Sequence, residues 1–276
     1  MSTMVRAGTT GRALLLAATA AILAAGCASQ QQTSVERAQP TDVNYGPILG
    51  DPKDARTRAK AHTDLAAAYY ELGNMGVALE EARIALAADP SYPPAYNVQG
   101  LVSMELKDTA AADASFQRGL KLAPQDPDLN HNYGWFLCQT GREQQSVEWF
   151  LNAIKNPLYP TPSKSYAAAG RCLQKRNPAE SAQFLERALK LDPNTVQALM
   201  PYGEYLYRRG QLGQAKELVA RYNKLVPEPT PESLWLGLRI ERKLGDRLAE
   251  ASLATQLRRR YSNSTEYQSL LRGDFD

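Results

Sequence analysis

Two ladders of small residues run through the chain at nearly constant spacing. The first is Ala66, Gly100, Gly134, Ala169, Gly203 and Gly237, with steps of 34, 34, 35, 34 and 34 residues. The second is Ala78, Ala112, Ser146, Ser181, Ala215 and Ala249, with the same steps. Pro90, Pro124, Pro193 and Pro227 fall on this grid, and Pro157 and Pro160 straddle the place where the missing one belongs. A period of this length admits few folds. Each unit is one small supersecondary element that cannot bury its apolar face alone, so the units must stack.

Within a unit the residue types are those of a helical hairpin. Stretches such as "AHTDLAAAYYEL" and "ALEEARIAL" carry apolar residues at helical spacing. Small residues at the two ladder positions let the paired helices approach within about 8–10 Å. Tyr69, Phe116, Phe150 and Leu185 fill the space beside them. Gly73, Gly141, Gly210 and Gly245 supply the left-handed backbone that ends the first helix. The prolines, lacking an N–H and clashing with the preceding turn, stop the second helix. This pattern resembles the tetratricopeptide (TPR) repeat over roughly Thr57 to Tyr261. The expected fold is all-α: a right-handed superhelical solenoid of six TPR helix pairs spanning 57–262, followed by a C-terminal tail at 263–276. The resemblance further implies that the first helices of the pairs line a concave, peptide-binding side.

The N-terminus is of a different kind. Arg6 and Arg12 precede an apolar run, Ala13 to Ala25, in "MSTMVRAGTTGRALLLAATAAILAAGCASQ". This reads as a secretory leader over 1–26, and its run is too short to span a bilayer comfortably. "LAAGC" resembles the lipobox of bacterial lipoproteins, which implies an acylated Cys27 as the mature N-terminus; the alternative is an ordinary leader with an incidental cysteine. Without aspartate after Cys27, that resemblance implies the outer membrane. Residues 27–56 then form a flexible tether, because 28–55 are too poor in apolar residues to offset the entropy of ordering. The formal charge of +3 includes the two leader arginines. The remaining chain is close to neutral, so its basic isoelectric point gives no argument for nucleic acid.

Reactive chemistry has little to work with. The chain has two histidines, His62 and His131, in different repeats. No catalytic or phosphate-binding motif is present. His131 and Cys138 lie about 10 Å apart along one helix, too far for a nucleophile and its base. No enzyme, metal, cofactor or small-molecule substrate is expected. Cys138 and Cys172 occupy nearby positions on the first helices of adjoining repeats. Export would favour a disulfide, whereas neighbouring helix axes lie farther apart than a disulfide's Cα–Cα span unless the two residues face one another. A bonded pair and two small core thiols both remain open on these grounds.

Repeat geometry gives concave candidates in the first three units: Ala67, Tyr70, Asn97, Leu101, Met104, His131 and Trp135. An apolar strip with aromatic residues and methionine suits a peptide groove; packing between repeats would explain each residue equally well. In the later units the same face carries Arg171, Glu204, Tyr207, Arg208 and Glu241, so the N-terminal half is the expected site for an apolar peptide.

Three segments narrow the resemblance: "NYGWFLCQTGR" continuing to "NPLYPTPSKSYAAAGRC", "PESLWLGLRIERKLGD", and "LRRRYSNSTEYQSLLRGDFD". With the lipobox and six TPR units, they are similar to the type IV pilus biogenesis and stability lipoproteins of the PilF/PilW family. The resemblance implies a pilotin: an outer-membrane lipoprotein, facing the periplasm, that binds the secretin subunit PilQ and promotes its localisation and multimerisation. It also favours a Cys138–Cys172 disulfide. Asn177 departs from the family's usual glycine; asparagine tolerates a left-handed conformation, so the departure leaves only that turn's geometry open. A general periplasmic TPR scaffold is the alternative function, and a hydrolase with a cryptic site a more remote one.

Overall fold

The computed structural model describes residues 54–275. The leader assigned to 1–26, the lipidation residue Cys27, most of the tether assigned to 27–56, and Asp276 lie outside the described residues. Thirteen helices and no strand occur among those described. Twelve form six hairpins: α1 (Ala55–Glu71) with α2 (Met75–Ala88), α3 (Pro93–Glu105) with α4 (Thr109–Leu122), α5 (Pro127–Gln139) with α6 (Glu143–Lys155), α7 (Pro162–Leu173) with α8 (Pro178–Leu191), α9 (Val196–Arg208) with α10 (Leu212–Leu225), and α11 (Pro231–Leu244) with α12 (Arg247–Arg260). The segment read as a tail forms α13 (Thr265–Arg272), which packs on α11 and α12. None of these helices is long and apolar enough to cross a membrane.

Local chemistry sets the boundaries. Asp54 caps α1 by accepting from the backbone N–H groups of Arg56 and Thr57, so the first helix starts two residues before the expected Thr57. Asp108, Asp126, Asp246 and Ser264 cap α4, α5, α12 and α13 in the same way, satisfying donors that have no partner inside the helix. Pro90, Pro124, Pro193 and Pro227 each stand two residues beyond the end of a second helix, and Pro157 takes that place in the third unit. Gly73, Gly141, Gly210 and Gly245 are left-handed as expected. Two hairpins close differently. Lys107 adopts φ 63° in the second unit, in the register that glycine holds elsewhere. Asn177 is not left-handed: with φ −141° it caps α8, its side chain accepting from the Glu180 N–H. The turn before it needs no left-handed residue, because the Asn177 N–H reaches the Leu173 carbonyl at 2.8 Å.

The stacking defines an inside and an outside. Each first helix touches the first helix of the next unit, whereas no second helix touches another second helix. A stack built this way curves toward the first helices, so α1, α3, α5, α7, α9 and α11 line the inner side. Phe116, Phe150 and Leu185 are fully buried between paired helices, each worth several kcal/mol against truncation to alanine. The ladder glycines Gly100 and Gly134 admit the two phenylalanines, whereas Leu185 is admitted by Gly170, one residue past the ladder position Ala169. A Cβ at Gly100 would lie 2.7 Å from the Phe116 ring, inside van der Waals contact.

Candidate peptide-binding face

The inner side of units three and four carries the most developed polar geometry. His131 on α5 places Nδ1 2.8 Å from the Ser165 hydroxyl on α7, and that hydroxyl donates to the Tyr159 phenol at 3.1 Å. The imidazole meets the edge of Phe150 with ring centroids 5.5 Å apart. Burial, reinforced by the charge of Lys164, lowers the His131 pKa to about 4, so the ring is neutral at pH 7. A serine against a neutral histidine has the outline of a nucleophile with its base. Here Ser165 is fully buried, and its hydroxyl is already committed to Tyr159. The arrangement joins two helices and offers nothing to a substrate. Among the described residues, no group of three or more His, Cys, Asp or Glu side chains gathers as metal ligands.

Beside this network lies a depression of about 180 Å³ lined by His131, Asn132, Trp135, Lys164, Ala168, Arg171 and Gln197. That is below the size of a typical small-molecule pocket and suits a single side chain of an extended peptide. Trp135 is half-buried, with the Arg171 guanidinium 5.3 Å from its ring. Lys164 and Arg171 are exposed, so one rim of the depression is cationic. The Asn132 side-chain amide donates to Asn97 at 3.0 Å, linking α5 back to α3. The repeat pattern points to His131, Trp135 and Asn97; it misses Asn132, Lys164 and Gln197. The only signal for these is their register on the first helices, where a polar residue reads equally as plain solvent exposure.

The other candidates do not converge on that depression. Ala67 and Tyr70 pack against the Ala66–Ala82–Val102 cluster, and Leu101 and Met104 against the Phe116–Leu137 cluster. All four are half-buried and belong partly to the core. The Tyr70 phenol is shifted upward by burial and by nearby Glu105.

Cys138 and Cys172 form a disulfide across α5 and α7, with Cα atoms 5.7 Å apart. Their side chains leave facing sides of adjoining helices, which resolves the distance objection. Farther along, ion pairs replace this covalent link. Glu204 on α9 accepts from Arg239 on α11 at 2.7 Å and from Arg208 at 3.1 Å. Glu241 does not join this face: it is buried and bonds Lys216 on α10 at 2.9 Å.

A tetratricopeptide repeat family model matches residues 63–127 and 166–228. The type IV pilus assembly protein PilF of Pseudomonas aeruginosa is 28% identical over 212 residues, covering 75% of this chain and 82% of that protein. The solved structure of Pseudomonas aeruginosa PilF aligns with TM-score 0.74 and 26% identity, over 79% of this chain and 99% of that one. PilW, a type IV pilus biogenesis factor, aligns with TM-score 0.69 and 29% identity, over 77% of this chain and 98% of that one. Six stacked hairpins, a repeat match in both halves and agreement with two solved pilus factors over most of the described residues lead to one conclusion: the chain carries tetratricopeptide repeats and is similar in sequence and fold to the type IV pilus factors PilF and PilW.

Proposed function

We propose that the chain is an outer-membrane lipoprotein of type IV pilus biogenesis, anchored through acylated Cys27 and facing the periplasm. In this reading it binds the secretin subunit PilQ on its inner face and promotes the secretin's localisation and multimerisation. The observation that carries the proposal is the near-complete coverage of PilF and PilW, which extends over the whole folded body rather than over a generic repeat or two. The mechanism is tethering. Holding a binding face at a membrane raises the local concentration of whatever it has bound. One acyl chain holds only marginally, so durable anchoring needs the several chains typical of lipoproteins. Trp135 with the cationic rim of Lys164 and Arg171 supports a peptide ligand that pairs an apolar side chain with an acidic or carbonyl-rich flank.

The experiment is a deletion strain complemented with three versions of the gene. Cys27→Ser leaves the folded body intact and moves the protein out of the outer-membrane fraction, with loss of secretin multimers on denaturing gels. Lys164→Glu with Arg171→Glu keeps the protein at the membrane and reduces the multimers several-fold. These exposed positions are better probes than Leu101 or Trp135, whose substitution also disturbs packing. Normal secretin multimers in the deletion strain would overturn the secretin reading and leave a general envelope scaffold.

A further inference from the structure

Two depressions lie side by side on the inner face, and their charges are opposite. The first is the one around Trp135. Its rim carries Lys164 and Arg171, and no carboxylate lines it. Among the described residues neither cation forms an ion pair; Arg171 lies over the Trp135 ring, and Asp128 feels the charge of Lys164 without pairing with it.

The second is a groove of about 350 Å³ whose floor is made by Met200 and Pro201 on α9 and by Trp235 and Leu236 on α11. Phe275 returns from the C-terminal segment and stacks on Trp235 with ring centroids 5.5 Å apart, which fixes the indole. Three glutamates line this groove. Glu204 is spent on Arg239 and Arg208. Glu232 in the first turn of α11 and Glu266 in the first turn of α13 have no cationic partner among the described residues. Arg239, the one cation in the lining, is buried and held by Glu204. A glutamate in a first turn favours its own helix, which accounts for each acid singly. It does not account for two acids from different helices meeting over one apolar floor.

The depressions are neighbours. α7 and α9 contribute to both: Arg171 and Gln197 to the first, Gln174 and Met200 to the second, three residues later in each helix. That offset is one turn, about 5 Å. The second depression is also displaced toward α11 by one helix spacing, about 8–10 Å. An extended chain rises about 3.3 Å per residue, so three to four residues bridge the two. Alternate side chains point the same way, so residues i and i+4 of such a segment face the surface together.

We propose that the two depressions are one bipartite site for an extended partner segment that carries a carboxylate and a lysine or arginine four residues apart. The carboxylate goes to Lys164 and Arg171 beside Trp135. The cation lays its aliphatic stem on Met200 and Leu236 and puts its charged head between Glu232 and Glu266. Segments with two like charges are rejected, because one end then meets its own sign. This pattern rests on the inner face being the peptide-binding side, as in the function proposed above, and not on which protein supplies the segment.

The test titrates the full chain, isotope-labelled, with the capped peptide Gly-Glu-Ser-Leu-Ser-Lys-Gly and follows the indole N–H resonances of Trp135 and Trp235. Both are expected to move along one binding curve. Peptides with glutamine in place of the glutamate or of the lysine should bind roughly fivefold more weakly, and peptides with two glutamates or two lysines more weakly still. Lys164→Gln with Arg171→Gln should erase the benefit of the peptide's glutamate and keep that of its lysine. Glu232→Gln with Glu266→Gln should do the reverse. If a variant failed to fold, the peptide series on the unmodified chain would still decide. Movement of one resonance alone, equal affinity for mixed and like-charged peptides, or no binding of any peptide would each overturn the bipartite site. Those outcomes are separable from the secretin reading, which stands or falls on multimers in the deletion strain. Resonances that shift with protein concentration in the absence of peptide would place a second copy on this face and overturn the partner segment.

Discussion

Units two to four and units five to six share one repeat grid and hold it with different forces. In the middle of the chain the paired helices are in the closest contact the backbone permits: a Cβ would meet a neighbour at 2.7 Å at Gly100, 3.1 Å at Gly134 and 2.6 Å at Gly170. In the last units the same hypothetical atom meets its nearest neighbour at 3.6 Å at Gly203 and 3.5 Å at Gly237. Across the inner face the contrast repeats. The middle is joined by a disulfide and by neutral hydrogen bonds, Asn132 to Asn97 and His131 to Ser165. The end is joined by ion pairs centred on Glu204 and by a tail that returns to Trp235. A solenoid is stabilised mainly by terms within a repeat and between nearest neighbours. The grid can therefore stay constant while the middle is built stiff and the end adjustable.

The largest test removes the covalent link. The disulfide closes a loop of 34 residues, and the chain-entropy account gives about 4 kcal/mol for a loop of that size. Cys138→Ser with Cys172→Ser should lower thermal stability by roughly this amount. Hydrogen exchange should quicken in α5 to α8 and change little in α9 to α12. Uniform acceleration over all six units would show that the two regions are one cooperative body.

Acid should also act on the middle first. His131 has a folded pKa of about 4 because of burial, aided by Lys164, against an ordinary value of 6.5 in the unfolded chain. Between those two values the unfolded chain binds a proton that the folded chain refuses, so stability falls as pH drops through this window and is unaffected above it. The loss approaches roughly 3 kcal/mol near pH 4. In His131→Asn this part of the slope disappears. The measurement is chemical denaturation at a series of pH values for both proteins, and parallel curves would show that His131 is not the group responsible.

The sequence carries some of this contrast and conceals the rest. Hairpin count and most helix ends are legible because every unit solves the same packing problem; the ladder marks the close contacts at Gly100 and Gly134 but misses by one residue in the fourth unit, where the contact falls at Gly170 rather than Ala169. The exceptions are places where a local solution replaces the shared one. Lys107 takes the conformation that glycine holds elsewhere, and Asn177 becomes a cap because the preceding turn closes without a left-handed residue. The face is harder to read. Trp135 stands out by type, whereas Lys164 and Asn132 look like ordinary surface until the curvature of the stack brings α5 and α7 to one depression. Glu241 has the register of the inner face but points to Lys216, since a charge on a nearly buried helix goes wherever its partner stands. Nothing local indicates that residue 275 returns to α11. That contact joins positions 40 residues apart and depends on the left-handed turn at Gly273.

The finest distinction between the regions is one methyl group. Alanine is a better helix former than glycine by up to about 1 kcal/mol in a helix interior, so a glycine-to-alanine change gains unless the new atom collides. At Gly170 it collides: the Cβ would stand 2.6 Å from the Leu185 Cγ and 3.0 Å from the Ser181 carbonyl, and the latter is backbone that cannot step aside. The Ser181 hydroxyl also donates to the Gly170 carbonyl at 2.6 Å, fixing the two helices against separation. Overpacking of this kind costs roughly 1–3 kcal/mol, so Gly170→Ala should be destabilising by about 1–2 kcal/mol after the propensity gain. At Gly203 the nearest atoms, Leu236 Cδ2 at 3.6 Å and Leu218 Cβ at 3.7 Å, lie at ordinary contact distance. Gly203→Ala should therefore be neutral or stabilising by up to about 1 kcal/mol. Denaturant midpoints for the two variants give opposite signs if the middle is truly tighter than the end. The same sign in both would mean that the helices shift to admit a methyl group wherever it is placed, and that the close contacts at Gly100 and Gly170 record shape without stiffness.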